Sequence, residues 1–125
     1  MKVNEVMNKV MAVDSDINLK QAAKILSDKN IGSIVVLKKD KILGIITEKD
    51  IINNISNLGK KISNIMTKQV ITIDHNDSLD NAALIMASHK IKRLPVVDKE
   101  KLVGIITATD IIANSDILNE DFFFD

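Results

Sequence analysis

Apolar residues follow a helical period in two separate stretches of the chain. The spacing i, i+3, i+4, i+7 is that of one face of an amphipathic helix. Two sets of residues have it: Leu19, Ala22, Ala23 and Leu26, and then Leu79, Ala82, Ala83 and Met86. Asn18 and Ser78 stand directly before these runs and are suitable N-cap residues. The pattern therefore predicts two helices, each with one buried face.

Continuous apolar runs follow each predicted helix and predict two β-hairpins. The runs are 34–37 with 42–46, and 94–97 with 102–106, joined by polar turns at 38–41 and 98–101. Strands that are apolar at every position are expected to be covered on both faces. Weaker signals predict a short helix and a brief extended stretch before each amphipathic helix, and a closing helix after each hairpin. The short helices are predicted at Val3–Met7 and 62–66, and the extended stretches at 10–13 and 70–73. The closing helices are predicted from Thr47 and Thr107 onward.

The same order of segments occurs twice at a constant offset. Gly-Ile-Ile-Thr at 44–47 and Asp-Ile-Ile at 50–52 recur 60 residues later, at 104–107 and 110–112. Val6-Met7 also matches Ile65-Met66, although at an offset one residue shorter than 60. The fold class predicted is α+β, with each repeat reading about β-α-β-β-α. The repeat is an internal duplication.

One repeat alone is too small to cover its apolar strands, since a domain of about 60 residues buries only about 60% of its unfolded surface. The two repeats are therefore predicted to pack sheet to sheet, with pseudo-twofold symmetry, into one module with two equivalent clefts. The predicted boundaries are 1–56 for the first repeat, 57–61 for a linker, 62–118 for the second repeat and 119–125 for a C-terminal tail.

Composition excludes several kinds of function. Lys plus Arg and Asp plus Glu both total 17, so the formal net charge is zero, which argues against a nucleic-acid binder. Cysteine is absent, so thiolate metal sites and cysteine nucleophiles are excluded. No apolar run approaches the length of about 18 residues that a membrane span needs, and no signal peptide is evident. We expect a soluble, cytoplasmic protein that does not interact with membranes.

The motif Gly-Ile-Ile-Thr-x-x-Asp, at 44–50 and 104–110, allows two interpretations. Thr followed three residues later by an acid resembles a capping box, in which the two side chains only cap a helix. Alternatively, a hydroxyl and a carboxylate beside a cleft could hold a ribose, because a carboxylate can accept both hydrogen bonds of a cis-diol. In that interpretation the glycine lets the backbone approach a ligand closely. The local pattern leaves both open.

Taken together, the duplicated motif, the apolar strands before it and the apolar helix after it resemble a tandem pair of CBS domains (the Bateman module). The stretch 91–98, Ile-Lys-Arg-Leu-Pro-Val-Val-Asp, is similar to the entry of that family's second strand. The resemblance covers about Val3 to Ala113. It implies binding of an adenosine-containing ligand, of the AMP, ADP, ATP or S-adenosylmethionine type, between the two repeats. No separate cofactor is expected, and the two histidines lack the carboxylate-rich spacing of a metal site, so no metal and no catalytic residues are expected either.

The resemblance also implies which residues form each cleft. The second cleft would take ribose and phosphate on Thr107, Thr109, Asp110 and Arg93, with Val10, Met11, Ile31 and Gly32 around the adenine. The first cleft would use Thr47, Lys49, Asp50, Val70, Ile71, Ile91 and Lys92. Arg93 is the only arginine in the chain and corresponds to Ser33. Because a guanidinium offers a fork of donors that serine lacks, the second cleft is favoured for a phosphorylated ligand.

The leading hypothesis is a regulatory ligand sensor. The alternative is a ligand-independent assembly or scaffold module whose Thr-x-x-Asp motifs are helix caps. An enzyme is not expected, since no nucleophile–base pair or metal constellation is evident. The resemblance further predicts a homodimer and a possible target protein. The aromatic tail, Phe122-Phe123-Phe124, could pack on its own module, dock on a partner or be disordered, and docking on a partner is favoured.

Overall fold

Two helices of 11 residues form where the apolar spacing predicts them in the computed structural model, which describes residues 1–115. Both predicted N-caps are confirmed. The Asn18 side chain accepts a hydrogen bond from the Gln21 amide at 2.9 Å, and Ser78 Oγ accepts one from the Asn81 amide at 3.0 Å. The predicted tail and the last residues of the predicted second repeat, 116–118, lie outside the described residues.

The chain divides into two compact units, which we call the first unit, Val10–Val70, and the second unit, Met1–Lys9 with residues 71–115. The first unit contains β1 (Ala12–Asp14), α1 (Leu19–Lys29), β2 (Ser33–Lys38), β3 (Lys41–Thr47), α2 (Glu48–Asn53) and a 3-10 helix (Ile62–Asn64). The second unit contains a 3-10 helix (Val3–Glu5), β4 (Ile73–Asp74), α3 (Leu79–His89), β5 (Arg93–Asp98), β6 (Lys101–Thr107) and α4 (Ala108–Ala113). The predicted α+β class and the duplication are confirmed.

Each unit has a three-stranded sheet in the order in which its strands occur along the chain. The first strand is parallel to the second, and the second and third form the predicted antiparallel hairpin. The parallel strands are shorter than the predicted extended stretches, because β4 pairs with β5 only at Ile73 and Asp74. No helix within residues 1–115 is both long enough and apolar enough to cross a membrane.

Both hairpins turn through two residues with positive φ. These are Lys39 and Asp40 in the first unit (50° and 65°), and Lys99 and Glu100 in the second (50° and 70°). Positive φ at both central residues is the condition for the tight turn whose twist matches that of the flanking strands. The turns predicted at 38–41 and 98–101 are thus present, although neither contains the glycine or asparagine that such turns favour.

Alternate strand residues point into the core of each unit, as the period of two requires. The first core is built from Leu19, Ala22, Leu26, Ile34, Val36, Ile46, Ile51, Ile62 and Met66. The second core is built from Val3, Ile73, Leu79, Ala82, Met86, Leu94, Val96 and Ile106. The amphipathic faces of α1 and α3 therefore cover one face of the sheet in their own unit.

The segments that open the two sequence repeats are exchanged between the compact units. Val3, near the start of the chain, is fully buried in the second core, whereas Ile62, which opens the second repeat, is fully buried in the first. Backbone hydrogen bonds fix both segments: the Val3 amide donates to Asp77 O at 2.8 Å, and the Ile62 amide donates to Ile17 O at 3.0 Å. The central helices and strands of each sequence repeat, 1–56 or 62–118, thus form one compact unit. The first segment of each repeat, in contrast, packs in the unit formed by the other repeat.

Candidate functional site

The Thr-x-x-Asp motif of the first unit forms a complete capping box at the start of α2. The Asp50 amide donates to Thr47 Oγ1 at 3.4 Å, and in return Asp50 Oδ2 accepts the Thr47 amide at 2.8 Å. The Thr47 hydroxyl also donates to Asp50 Oδ2, at 3.1 Å. These bonds satisfy backbone donors that a helix start would otherwise leave without partners.

The second unit repeats this arrangement at the start of α4. Thr107 Oγ1 accepts the Asp110 amide at 3.2 Å, and Asp110 Oδ2 accepts both the amide and the hydroxyl of Thr107 at 2.8 Å each. The capping interpretation of the motif therefore describes real contacts in both units. It accounts for the threonine hydroxyls and for one oxygen of each carboxylate.

The second oxygen of each carboxylate is not used by the cap. Within the described part of its own unit, neither Asp50 Oδ1 nor Asp110 Oδ1 accepts a hydrogen bond. Both aspartates are half-buried, so water or a solute can reach them. Since an ionised carboxylate has about four lone-pair sites, a capping role leaves acceptor capacity for a ligand.

Arg93 lies close to this motif because of the strand register. It pairs directly with Thr107 across the antiparallel β5 and β6, and Ser33 pairs in the same way with Thr47. Directly opposite residues point to the same face with Cβ atoms about 4.5–5.5 Å apart. Since Leu94 and its neighbours by alternation face the core, Arg93 and Thr107 project from the opposite face of the sheet. The second unit thus carries a cation beside its motif where the first carries a hydroxyl.

The strand ends before the helices are also tied to the motif. The Glu48 amide donates to Gly32 O at 3.2 Å, and the Ala108 amide donates to Lys92 O at 2.7 Å. Gly32 and Lys92, both predicted site residues, therefore lie next to the motif of their own unit through backbone contacts. The Lys92 side chain is exposed.

The remaining predicted residues are distributed over both units. Lys49 and Thr109 are exposed on the first turns of α2 and α4. The predicted apolar contacts are all half-buried: Val10, Met11, Ile31 and Val70 in the first unit, and Ile71 and Ile91 in the second. Each predicted cleft combines residues of both units, and those combinations stay predictions.

The glycines of the two motifs have a different role from the one inferred from sequence. A Cβ on Gly44 would lie 2.5 Å from Met66 Sδ and 2.8 Å from Thr67 O, and one on Gly104 would lie 2.7 Å from Met7 Sδ. The space beside each glycine is occupied by the protein's own chain, so the inference that it admits a ligand is wrong. In each unit a methionine side chain, Met66 or Met7, lies against the glycine.

Asn8 also contacts the motif of the second unit, which sequence analysis did not predict. Its side-chain amide donates to Asp110 Oδ2 at 2.7 Å. The Asn8 backbone forms an antiparallel bridge with Ile105, with N–O distances of 2.8 and 3.0 Å, and the Thr67 backbone forms the same bridge with Ile45. Matching Val6-Met7 with Ile65-Met66 aligns Asn8 with Thr67, but nothing in the sequence places either beside an aspartate.

Comparison with known proteins gives a consistent family assignment. A family model for the CBS domain matches residues 3–57 and 62–116. Over 113 residues the chain is 37% identical to the uncharacterized protein MJ1232 of Methanocaldococcus jannaschii, covering 89% of this chain and 38% of that protein. Over 110 residues it is 38% identical to the inosine-5′-monophosphate dehydrogenase of Nitrosopumilus maritimus, covering 86% and 23%. The chain therefore spans well under two thirds of the length of these two relatives.

A solved structure is similar over nearly the same region. It is the CBS domain pair of protein MJ0100 in complex with 5′-methylthioadenosine and S-adenosyl-L-methionine. The TM-score is 0.84 at 34% sequence identity, and the match covers 90% of this chain and 94% of that one. The likeness thus extends over both repeats.

Proposed function

Because the chain belongs to the CBS domain family, as a tandem pair of such domains, we propose that it is a regulatory module that senses an adenosine-containing ligand. The finding that carries the proposal is the unused oxygen on each motif carboxylate, Asp50 Oδ1 and Asp110 Oδ1. A carboxylate that is already oriented by its cap can accept hydrogen bonds from ribose hydroxyls with little further loss of side-chain entropy.

The related CBS domain pair of MJ0100 supports the class of ligand. It is in complex with 5′-methylthioadenosine and S-adenosyl-L-methionine, which share an adenosine group. A ribose is therefore the common element that we assign to the aspartates of this chain. AMP, ADP, ATP and S-adenosylmethionine remain the ligands of first choice.

Arg93 is proposed to favour an anionic ligand in the second unit. Its register opposite Thr107 places a guanidinium on the face of the sheet from which the motif projects. A planar fork of donors binds phosphate or carboxylate in a bidentate manner, whereas Ser33 at the corresponding position offers a single hydroxyl. We propose Arg93, Thr107, Thr109 and Asp110 as the ribose and phosphate group of the second site, and Thr47, Lys49 and Asp50 as that of the first.

The test is titration calorimetry of the purified protein with AMP, ADP, ATP, S-adenosylmethionine and 5′-methylthioadenosine. Asp110→Asn removes the charge but keeps an oxygen that can cap α4, so it should weaken binding with little loss of stability. Asp50→Asn is the matched variant in the first unit, and Arg93→Ser reproduces the residue of the first unit. Unchanged affinity in all three variants would refute the site.

The complete capping boxes also favour a second candidate, a ligand-independent scaffold. In that case Thr47→Ala and Thr107→Ala should each cost about 1 kcal/mol of stability through the lost cap alone. The decisive measurement is thermal stability with each nucleotide. A ligand at about 100 times its dissociation constant should add about 2.7 kcal/mol of apparent stability in a sensor and nothing in a scaffold.

Two further points of the proposal concern assembly. In the inosine-5′-monophosphate dehydrogenase relative, the matched region is 23% of a longer chain, so we infer that the module modulates a target rather than performing a reaction itself. We also propose a homodimer. Light scattering at micromolar concentration, with and without nucleotide, would show whether two copies associate and whether the ligand changes that association.

A further inference from the structure

The two motifs differ at one contact that their sequences do not reveal. In the second unit the Asn8 amide lies 2.7 Å from Asp110 Oδ2. In the first unit Thr67 holds the same backbone position beside β3, with N–O distances of 3.0 Å to Ile45 in both directions. Among the described residues of the first unit, no side chain other than Thr47 donates to the Asp50 carboxylate.

The extra contact changes how firmly the carboxylate is held. Asp110 Oδ2 accepts three hydrogen bonds, from the Thr107 amide, the Thr107 hydroxyl and Asn8, at 2.8, 2.8 and 2.7 Å. Asp50 Oδ2 accepts two, at 2.8 and 3.1 Å. Two donors already use the lone pairs of one carboxylate oxygen, so a ligand hydroxyl has Oδ1 as its acceptor in both units. The third donor at Asp110 adds a further restraint on the same carboxylate.

The position of Asn8 is itself fixed by the fold. Its backbone is bridged to Ile105 on β6, and Val3 of the same segment is fully buried in the second core. Met7 packs over Gly104, which has no side chain to displace it. Asn8 therefore approaches the carboxylate from a segment that is anchored on both the strand and the core.

We propose that Asn8 is a positioning residue that makes the Asp110 site the stronger and more ribose-selective of the two. The inference rests on the proposed function, because it concerns how the carboxylate presents its free oxygen to a ribose. Asn8 holds Oδ2 and so fixes the orientation of Oδ1. Thr67 leaves the Asp50 carboxylate with more rotational freedom, and ordering that carboxylate costs part of the binding energy.

Reciprocal exchange of the two residues tests this with adenosine and 2′-deoxyadenosine as probes. Asn8→Thr is made in an Asp50→Asn background, so that only the second site retains its carboxylate. Thr67→Asn is made in an Asp110→Asn background, where only the first site does. Lys9→Thr is the matched control, because Lys9 is the exposed neighbour of Asn8 and takes the same substitution.

We expect Asn8→Thr to weaken adenosine binding by about three- to tenfold, the size of one ordinary net hydrogen bond, because the Asn8–Asp110 contact is exposed to solvent. The preference for adenosine over 2′-deoxyadenosine should narrow, a change that a loss of stability alone would not produce. Thr67→Asn should strengthen adenosine binding at the first site, and Lys9→Thr should change neither quantity.

The outcomes separate this inference from the proposed function. If the unmodified protein binds no adenosine ligand, both are refuted. If it binds, and Asp110→Asn weakens binding while Asn8→Thr leaves affinity and selectivity unchanged, only the role of Asn8 is refuted. Should Asn8→Thr fail to fold, the gain expected from Thr67→Asn decides, and no gain there overturns the inference.

Discussion

Gly44 lies directly beneath the side chain of Met66, with no room for even one methyl group between them. A Cβ on Gly44 would lie 2.5 Å from Met66 Sδ and 2.8 Å from the backbone oxygen of Thr67. The methionine could move, but the Thr67 carbonyl is bridged to Ile45 on the same strand and cannot move independently. The glycine therefore permits the segment after α2 to pack on β3.

The first prediction follows from this contact. Gly44→Ala should destabilise the protein by about 1–3 kcal/mol, the usual cost of overpacking. Gly104→Ala should cost less, because its nearest contacts are longer, at 2.7 Å to Met7 Sδ and 3.0 Å to Asn8 O. Gly59→Ala is the control, since nothing lies within 4 Å of its Cβ position. Chemical denaturation would give the order, and equal losses at all three positions would contradict it.

A second prediction concerns the hairpin turns. Asp40 and Glu100 have φ of 65° and 70°, where an L-residue is strained by about 1–2 kcal/mol relative to glycine. Asp40→Gly and Glu100→Gly should each raise stability by about 0.5–1 kcal/mol after the greater backbone entropy of glycine is counted. Lys41→Gly, on the adjacent strand residue, should lower it. Thermal melting would measure all three, and stabilisation by Lys41→Gly would contradict the explanation.

The third prediction compares the ends of the two long helices. Asn30 after α1 and Lys90 after α3 both adopt the left-handed conformation, with φ/ψ of 51°/50° and 55°/45°. Asparagine tolerates this conformation better than lysine. Lys90→Asn should therefore stabilise the protein, and Asn30→Lys should destabilise it, by about 0.5–1 kcal/mol each. A lower denaturation midpoint for Lys90→Asn and a higher one for Asn30→Lys would contradict this, and would show that the attraction of a cation to the helix C-terminus dominates instead.

The fourth prediction tests the exchange of opening segments. Val3 has 0% exposure and packs in the second core, so Val3→Ala should cost about 1–3 kcal/mol. The loss of stability should affect the second unit, although Val3 stands before the first unit in the sequence. Hydrogen exchange should therefore accelerate in residues 71–115 more than in 10–70. Lys9→Ala serves as a control, and faster exchange confined to 10–70 would show that the segment packs in the first unit.

Local patterns determined much of this protein from the sequence alone. The apolar spacing around Leu19 and Leu79 gives the helices, and the continuous apolar runs after them give the hairpins, because each depends only on neighbours along the chain. The duplication follows from comparing the chain with itself at an offset of 60 residues. The Thr-x-x-Asp motif likewise indicated a capping box as one of its two interpretations, since both partners lie within one helical turn.

Tertiary structure decided what depends on residues distant in sequence. Three contacts join residues that are at least 22 positions apart in sequence, and no local propensity encodes them. They are Val3 in the second core, Met66 over Gly44 and Asn8 beside Asp110. The inference that a ligand approaches the motif glycine was wrong for the same reason. A glycine in the sequence indicates only that some group approaches the backbone closely, and only the packing shows that this group is the protein's own methionine. The backbone segment that lies beside a given carboxylate depends on how distant parts of the chain pack together, and this packing is a property of the folded core.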